Sequence, residues 1–209
     1  DNMGPSIAFN RPDGWQNDPF TVEASADDRG GSGVDDVMIS LDDSPFASGS
    51  SVLISEEGAS HQVRAYAIDA AGNAGTVVTA SELKLDMTRP AIESISYFPA
   101  DIDEDTLGPI TVRADISDAL SGVDPSSVQF RYGILVPSFD WQAMTWVQGR
   151  FEAEIEMDWD AAQGSDLYVE VKASDNAGNL AALFGLEHIE PRNDPPAFTM
   201  EVSSSLWER

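Results

Sequence analysis

Ala67-Ile68-Asp69-Ala70-Ala71-Gly72-Asn73 and Ala173-Ser174-Asp175-Asn176-Ala177-Gly178-Asn179 are two versions of one stretch, and they decide the fold. In each, an alternating apolar run (Val63, Ala65, Ala67; Val169, Val171, Ala173) stops at an aspartate, and a Gly-Asn pair follows. A period of two marks a strand with one buried face, and glycine and asparagine supply the positive φ of a tight hairpin. Two further marks recur in the same order. A proline lead-in reads Asp1-Asn2-Met3-Gly4-Pro5-Ser6-Ile7, then Asp86-Met87-Thr88-Arg89-Pro90-Ala91-Ile92, then Asn193-Asp194-Pro195-Pro196-Ala197-Phe198. An acidic turn of small residues reads Asp27-Asp28-Arg29-Gly30-Gly31-Ser32-Gly33-Val34-Asp35 and again Ser117-Asp118-Ala119-Leu120-Ser121-Gly122-Val123-Asp124. The chain is therefore an internal repeat.

Outward from these marks, more strands show. Phe20, Val22, Ala24 and Ala26 alternate with polar neighbours, as do Val37, Ile39 and Leu41. The second copy answers with Ile110, Val112, Ala114 and Ile116; Val128, Phe130 and Tyr132; and Phe151, Ala153, Ile155 and Met157. No long segment holds a 3.6 period. Short strands between Gly, Pro, Asn and Asp turns predict an all-β chain of two-sheet sandwiches. The expected modules are residues 1–86 and a longer 87–194, with 195–209 starting a possible third.

The 209 residues are 42% hydrophobic and 9% aromatic, enough for a core, yet carry 37 acids against 11 bases for a net charge of −26. The charge is spread along the chain, so it is no acidic tail. A field of that sign repels phosphate and anionic headgroups, which argues against nucleic acid and bare membrane. No run of 18 apolar residues occurs, which argues against direct membrane insertion. The start, Asp1 to Pro5, has neither basic flank nor apolar stretch, as expected of a piece cut from something longer. There is no cysteine and no Asn-x-Ser/Thr triplet. Aspartate is abundant, and only Lys84 and Lys172 are lysines, a balance that suits concentrated salt and equally fits GC-rich codon usage.

With these residues in view, the chain resembles the tandem immunoglobulin-like (Big-type) repeats of bacterial and archaeal surface proteins. The likeness is carried by the Asp-x-x-x-Pro lead-in, the segment Pro12-Asp13-Gly14-Trp15-Gln16-Asn17-Asp18, the Ser-Gly-Val turn and the Asp-x-Ala-Gly-Asn hairpin. It implies two tandem immunoglobulin-like β-sandwich modules plus the first strand of a possible third. It also implies an extracellular or cell-surface location with a mechanical or adhesive role, and an unidentified protein or glycan partner. Such repeats occur in adhesins, in S-layer-like proteins and as spacers beside secreted hydrolases.

The immunoglobulin topology gives the acidic turns a place. The lead-in, the B–C turn and the F–G turn share one end of such a sandwich. Asp86, Asp118, Asp175 and Asn176 are thus expected together at the top of the second module, and Asp1, Asp27, Asp28 and Asp69 at the top of the first. Oxygen ligands at that density match Ca2+, and some extender repeats of similar type hold calcium at their junctions. The alternative is that each aspartate only accepts backbone N–H groups within its own turn. A second acidic stretch, Asp101-Ile102-Asp103-Glu104-Asp105-Thr106-Leu107-Gly108, has the alternating carboxylates of a calcium loop but not its glycine at the sixth place, nor its closing glutamate.

Catalytic patterns are weak. His61, expected just before a strand, and His188, near the exit of the second module, fall in different modules, Asp158 and Asp160 are one pair among many acids, and no nucleophile elbow or phosphate loop is present. The reading is non-catalytic. Trp15, Trp141, Trp146, Trp159 and Trp207 raise carbohydrate stacking as an alternative, centred on the insertion from Tyr132 to Gly164. Trp141 and Trp146, five apart, would face opposite sides of one regular strand. The leading expectation is a stalk or spacer, the alternatives a carbohydrate-binding region of a secreted hydrolase and a filament subunit that self-associates through Ala197 to Val202.

The charge makes a prediction of its own. Melting followed by circular dichroism is expected to shift upward between dilute buffer and molar KCl, as screening relieves the self-repulsion of −26 charges.

Overall fold

A computed structural model describes residues 2–100, 102, 109–134, 140–156, 162 and 164–189, and their strands build four sheets. In the first half β1 (Ser6–Asn10), β3 (Phe20–Asp27) and β6 (Ser51–Ile54) form one sheet in the order β1-β3-β6. The facing sheet contains β2 (Trp15–Gln16), β4 (Val34–Leu41), β5 (Ala47–Ser48), β7 (Gly58–Asp69) and β8 (Val78–Leu85), in the order β2-β8-β7-β4-β5. Short β2 runs parallel to the end of β8. This is the immunoglobulin-like order, A-B-E against G-F-C-C′, with β2 as a strand A′ along G.

The second half repeats it. One sheet runs β13-β14-β10-β9, from β9 (Ala91–Phe98), β10 (Ile110–Ser117), β13 (Thr145–Val147) and β14 (Arg150–Ile155). The other runs β12-β11-β15-β16, from β11 (Gln129–Ile134), β12 (Gln142–Ala143), β15 (Asp166–Ser174) and β16 (Leu180–His188). These are D-E-B-A and C′-C-F-G. The expanded middle of this copy thus supplies strands C′ and D.

Two separate cores result. Val22, Ile54, Val63, Ala65, Leu83 and Leu85 centre the first. Val112, Phe130, Phe151, Ile155, Leu167 and Val171 centre the second, which also takes in Ile102 from the acidic stretch. Side chains expected inward from their alternation are inward: Val63, Ala65 and Ala67 are fully buried, as are Val169, Val171 and Ala173. Burying a Phe such as Phe130 is worth about 2–3 kcal/mol, so alternation does the work that no disulfide does here.

Two expectations are corrected. Trp141 and Trp146 do not share a strand, because the chain crosses between sheets at buried Met144: β12 belongs to the C′-C-F-G sheet and β13 to the other. His61 lies inside β7 rather than before a strand. Its Nδ1 is 2.6 Å from Asp42 Oδ2 and its Nε2 is 2.9 Å from the Glu56 carbonyl oxygen, so it ties the β4–β5 turn to the β6–β7 turn.

Asp42 is the acidic half of that tie. Partial burial pushes its carboxyl up, but the His61 ring and the Gln62 N–H outweigh burial and hold it below the usual carboxylate range. A depressed carboxyl adds stability above its unfolded-state pKa and loses it as pH falls through the folded-state value. Asp42→Asn is therefore expected to weaken the fold near pH 7. Its side chain is 44% exposed, so solvent screening keeps the loss to about 1 kcal/mol or less. Urea unfolding at several pH values should show the gap to the native chain closing below the carboxylate range.

Candidate metal centre

The site is built on the two F–G hairpins. In the first, Asp69 Oδ1 accepts the N–H groups of Ala71 (3.0 Å) and Asn73 (2.7 Å), while Asn73 Nδ2 donates to Asp69 Oδ2 (2.8 Å). In the second, Asp175 Oδ1 accepts from Ala177 N (2.8 Å) and Asn179 N (2.9 Å), and Asn179 Nδ2 donates to Asp175 Oδ2 (2.8 Å). Gly72 and Gly178 turn with φ near +90°, and each donates its N–H to the aspartate carbonyl. Both aspartates are buried, so these donors replace the water that a carboxylate otherwise needs. Burial alone would raise the Asp69 carboxyl; the Asn73 amide, the Asn73 and Ala71 N–H groups and the Ser32 hydroxyl overcome it and hold it low.

The second hairpin does more, because another acid reaches it. Asp86 leaves the first sandwich with its N–H on the Gln16 carbonyl (2.9 Å) and is itself fully buried. Its Oδ1 accepts from Thr88 N (3.0 Å) and its Oδ2 from Ser121 N (2.9 Å). Asp118, in the turn after β10, accepts the N–H groups of Leu120 (3.1 Å) and Gly122 (2.6 Å) on Oδ1. Carboxylate oxygens of Asp86, Asp118 and Asp175 all lie within 4.8 Å of one another. Among the described residues no Lys, Arg or His pairs with any of the three. Three like charges, two of them buried, are thus held by N–H dipoles alone.

Hard, anionic, acceptor-only oxygens are the donor set of Ca2+ and not of a softer metal. One buried polar atom beside them is also unspent: Ser121 Oγ has no hydrogen-bond partner among the described residues, although the Ser121 N–H is on Asp86. The residues present therefore fit a hard divalent cation.

Of the expected ligands, Asp86, Asp118 and Asp175 come together. Asn176 Nδ2 donates to the Ser121 (2.8 Å) and Gly122 (2.9 Å) carbonyls and closes the B–C turn onto the F–G turn. At the top of the first module Asp27 Oδ1 accepts Arg29 N (2.8 Å) and Asp28 Oδ2 accepts Gly33 N (2.7 Å), each within its own turn. With Asp69 in its hairpin, these three form no metal-sized group among the described residues. Asp1 lies outside the described residues, as do Asp158, Asp160, Trp159, Trp207, the acidic stretch apart from Ile102, and the segment 195–209. Of the tryptophans, Trp15 lies under Lys84, Trp141 under Arg131 and Lys172, and Trp146 packs edge-on to Phe151; they build no common platform. His188 Nδ1 contacts Asp166 Oδ1 (2.8 Å), in a different sandwich from His61.

Asn179 is a turn residue by its place in the motif, and it also bridges the modules. Its Nδ2 reaches the Asp86 carbonyl (2.7 Å) and the Thr88 carbonyl (3.3 Å). Glu57 holds the same linker from the other side, accepting Met87 N (2.6 Å) and the Thr88 hydroxyl (2.9 Å). The final Asn of the repeated motif was the only signal for the first, and nothing near Glu57 in sequence marked the second.

No protein-family model and no curated protein matches the chain. Solved structures of similar fold include the fibronectin(III)-like modules of Clostridium thermocellum CbhA, at 12% identity over 89% of this chain and 95% of that one, TM-score 0.41. The D00-D0 domain of intimin is 11% identical over 87% and 98%, TM-score 0.39. A 1.5-MDa bacterial ice-binding adhesin is 12% identical over 91% of this chain and 66% of that one, TM-score 0.46. The immunoglobulin-like assignment rests on the strand order above.

The bridge is testable against its own repeat. Asn179→Ala and Asn73→Ala each remove the Nδ2 bond to the aspartate Oδ2 of their own hairpin, at a cost of about 1–2 kcal/mol. Only Asn179→Ala is expected to speed amide exchange at Met87 and Thr88.

Proposed function

We propose that the chain is a non-catalytic structural or adhesion module of a cell-surface protein, an adhesin or S-layer-like stalk or spacer whose inter-module joint is stiffened by Ca2+. One observation carries this reading: Asp86, Asp118 and Asp175 meet where the first module passes the chain to the second. They come from three segments, a module exit, a B–C turn and an F–G turn, so one cation held by all three would cross-link segments far apart in sequence. Bound there, Ca2+ supplies charge neutralisation for three clustered carboxylates. Asp86 and Asp175 are positioned by their hydrogen bonds, and Asp118 Oδ2, which no donor reaches among the described residues, is the free ligand.

A stalk must carry load through its linkers, and this linker is short and held on both sides. Pro90 limits φ, Glu57 caps Met87 and Thr88, and Asn179 grips the carbonyls of Asp86 and Thr88. The ion would add a lock to a joint that is already restrained.

Calcium titration of chelator-treated protein by calorimetry, with thermal unfolding alongside, tests the reading. Binding heat is expected together with a rise in melting temperature, about 2.7 kcal/mol of added stability at a hundredfold excess over Kd. Asp118→Asn should lose both while keeping the β circular dichroism of the native chain. No heat and no shift in dilute salt would remove the ion from the proposal. A particle compact in small-angle scattering, with the modules folded on each other, would remove the stalk.

A further inference from the structure

The two copies of the repeat treat their last strand in opposite ways. In the first, the free side of β8 is blunted. Trp15–Gln16 pairs with Lys84 and Leu85, Ser81 and Glu82 stand exposed, and Glu82 sits at φ +59°. The ladder to β7 slips twice along its length. Bulges, charge and a covering strand are the usual protections of a sheet edge.

β16 has no bulge and, among the described residues, no covering strand, and its one carboxylate is Glu187 at its end. It pairs with β15 over nine consecutive residues without a register shift, and it is the last strand of its sheet. Among the described residues nothing pairs with its other side. From Leu180 to Leu186 it carries no charge, in a chain of net charge −26. Leu180, Phe184 and Leu186 are 54%, 51% and 55% exposed along one face, and Phe184 is steadied by Tyr168 edge-on at 5.6 Å. A strand of this length offers about 30 Å of unpaired backbone.

We propose that β16 is a self-association edge, and that its occupant is a second copy of this chain paired antiparallel to it. The strand is its own complement. With Phe184 of each copy opposed, Ala182 meets Leu186 and Leu180 meets the His188 ring, so Phe184 and Leu186 find apolar partners across the axis. Glu187 then falls opposite Ala181, and no two strand carboxylates oppose each other. His188 Nδ1 already contacts Asp166 Oδ1 at that end (2.8 Å). Pairing joins two C′-C-F-G sheets into one continuous sheet about a twofold axis. It is the uncharged strip through which two strongly acidic chains approach with least repulsion, so salt should favour it.

Sedimentation of the full chain across protein concentration, in dilute buffer and in molar KCl, tests this. A monomer–dimer equilibrium is expected, tighter in high salt, with the amides of β16 gaining exchange protection as concentration rises. Phe184→Lys should weaken association about tenfold or more. That residue is half exposed, so melting of the variant should stay near native, while in the proposed register the two introduced lysines oppose each other across the axis and disfavour pairing. Leu186→Lys serves as the second variant. A chain monomeric under all these conditions overturns the proposal, as does a dimer that survives both substitutions. A monomer that instead protects β16 on adding an apolar extended peptide overturns a second copy as occupant and assigns the edge to a foreign strand.

Discussion

A carboxylate taken out of water must find hydrogen-bond donors or a counter-charge, and Asp69 and Asp175 satisfy that demand inside their own hairpins. Each collects two backbone N–H groups and one Asn amide within four residues. This requirement explains why Gly and Asn follow at fixed places: glycine allows the left-handed φ that aims the N–H groups inward, and asparagine contributes the last donor. The long F strands end where these knots begin. The top of each sandwich is organised around them.

What differs between the copies is what the top of the module meets. In the second, Asp86 arrives from the preceding sandwich and Asp118 from the B–C turn, and the self-sufficient knot becomes part of a cluster of three acids. Asn179 couples the two roles, holding Asp175 with one contact and the Asp86 carbonyl with another. The same residues that stabilise one hairpin therefore also restrain the joint. A repeat can in this way turn a folding device into a linking device without new elements.

The acidity of the chain acts at two ranges. At long range a field of this sign opposes the approach of like chains, and the expected gain in stability with salt follows from the same repulsion. At short range it concentrates carboxylates at the joint and leaves the stretch Leu180 to Leu186 of β16 without charge. The contrast between β8, guarded by Glu82 and the Trp15 strand, and β16, unbroken in register and apolar from Leu180 to Leu186, shows that the two modules are alike in fold and unlike in surface.

Much was legible beforehand. The alternation of Val63, Ala65 and Ala67 and of Val169, Val171 and Ala173 assigned strands and inward faces, because a strand's side chains must alternate whatever they pack against. The repeat, together with the immunoglobulin topology that the chain resembles, brought Asp86, Asp118 and Asp175 to one end, since strand order alone puts those turns side by side. Strand β8 was less visible because its buried residues, Ala80, Leu83 and Leu85, lose their period at Glu82. The rest belonged to the tertiary structure. Whether Asn176 or Asn179 reaches across the joint, whether Trp141 and Trp146 share a sheet, and whether Leu180, Phe184 and Leu186 face a core or solvent depend on neighbours remote in sequence. Periodicity reports the faces of a strand, and only the packed fold decides which of its faces and edges are covered.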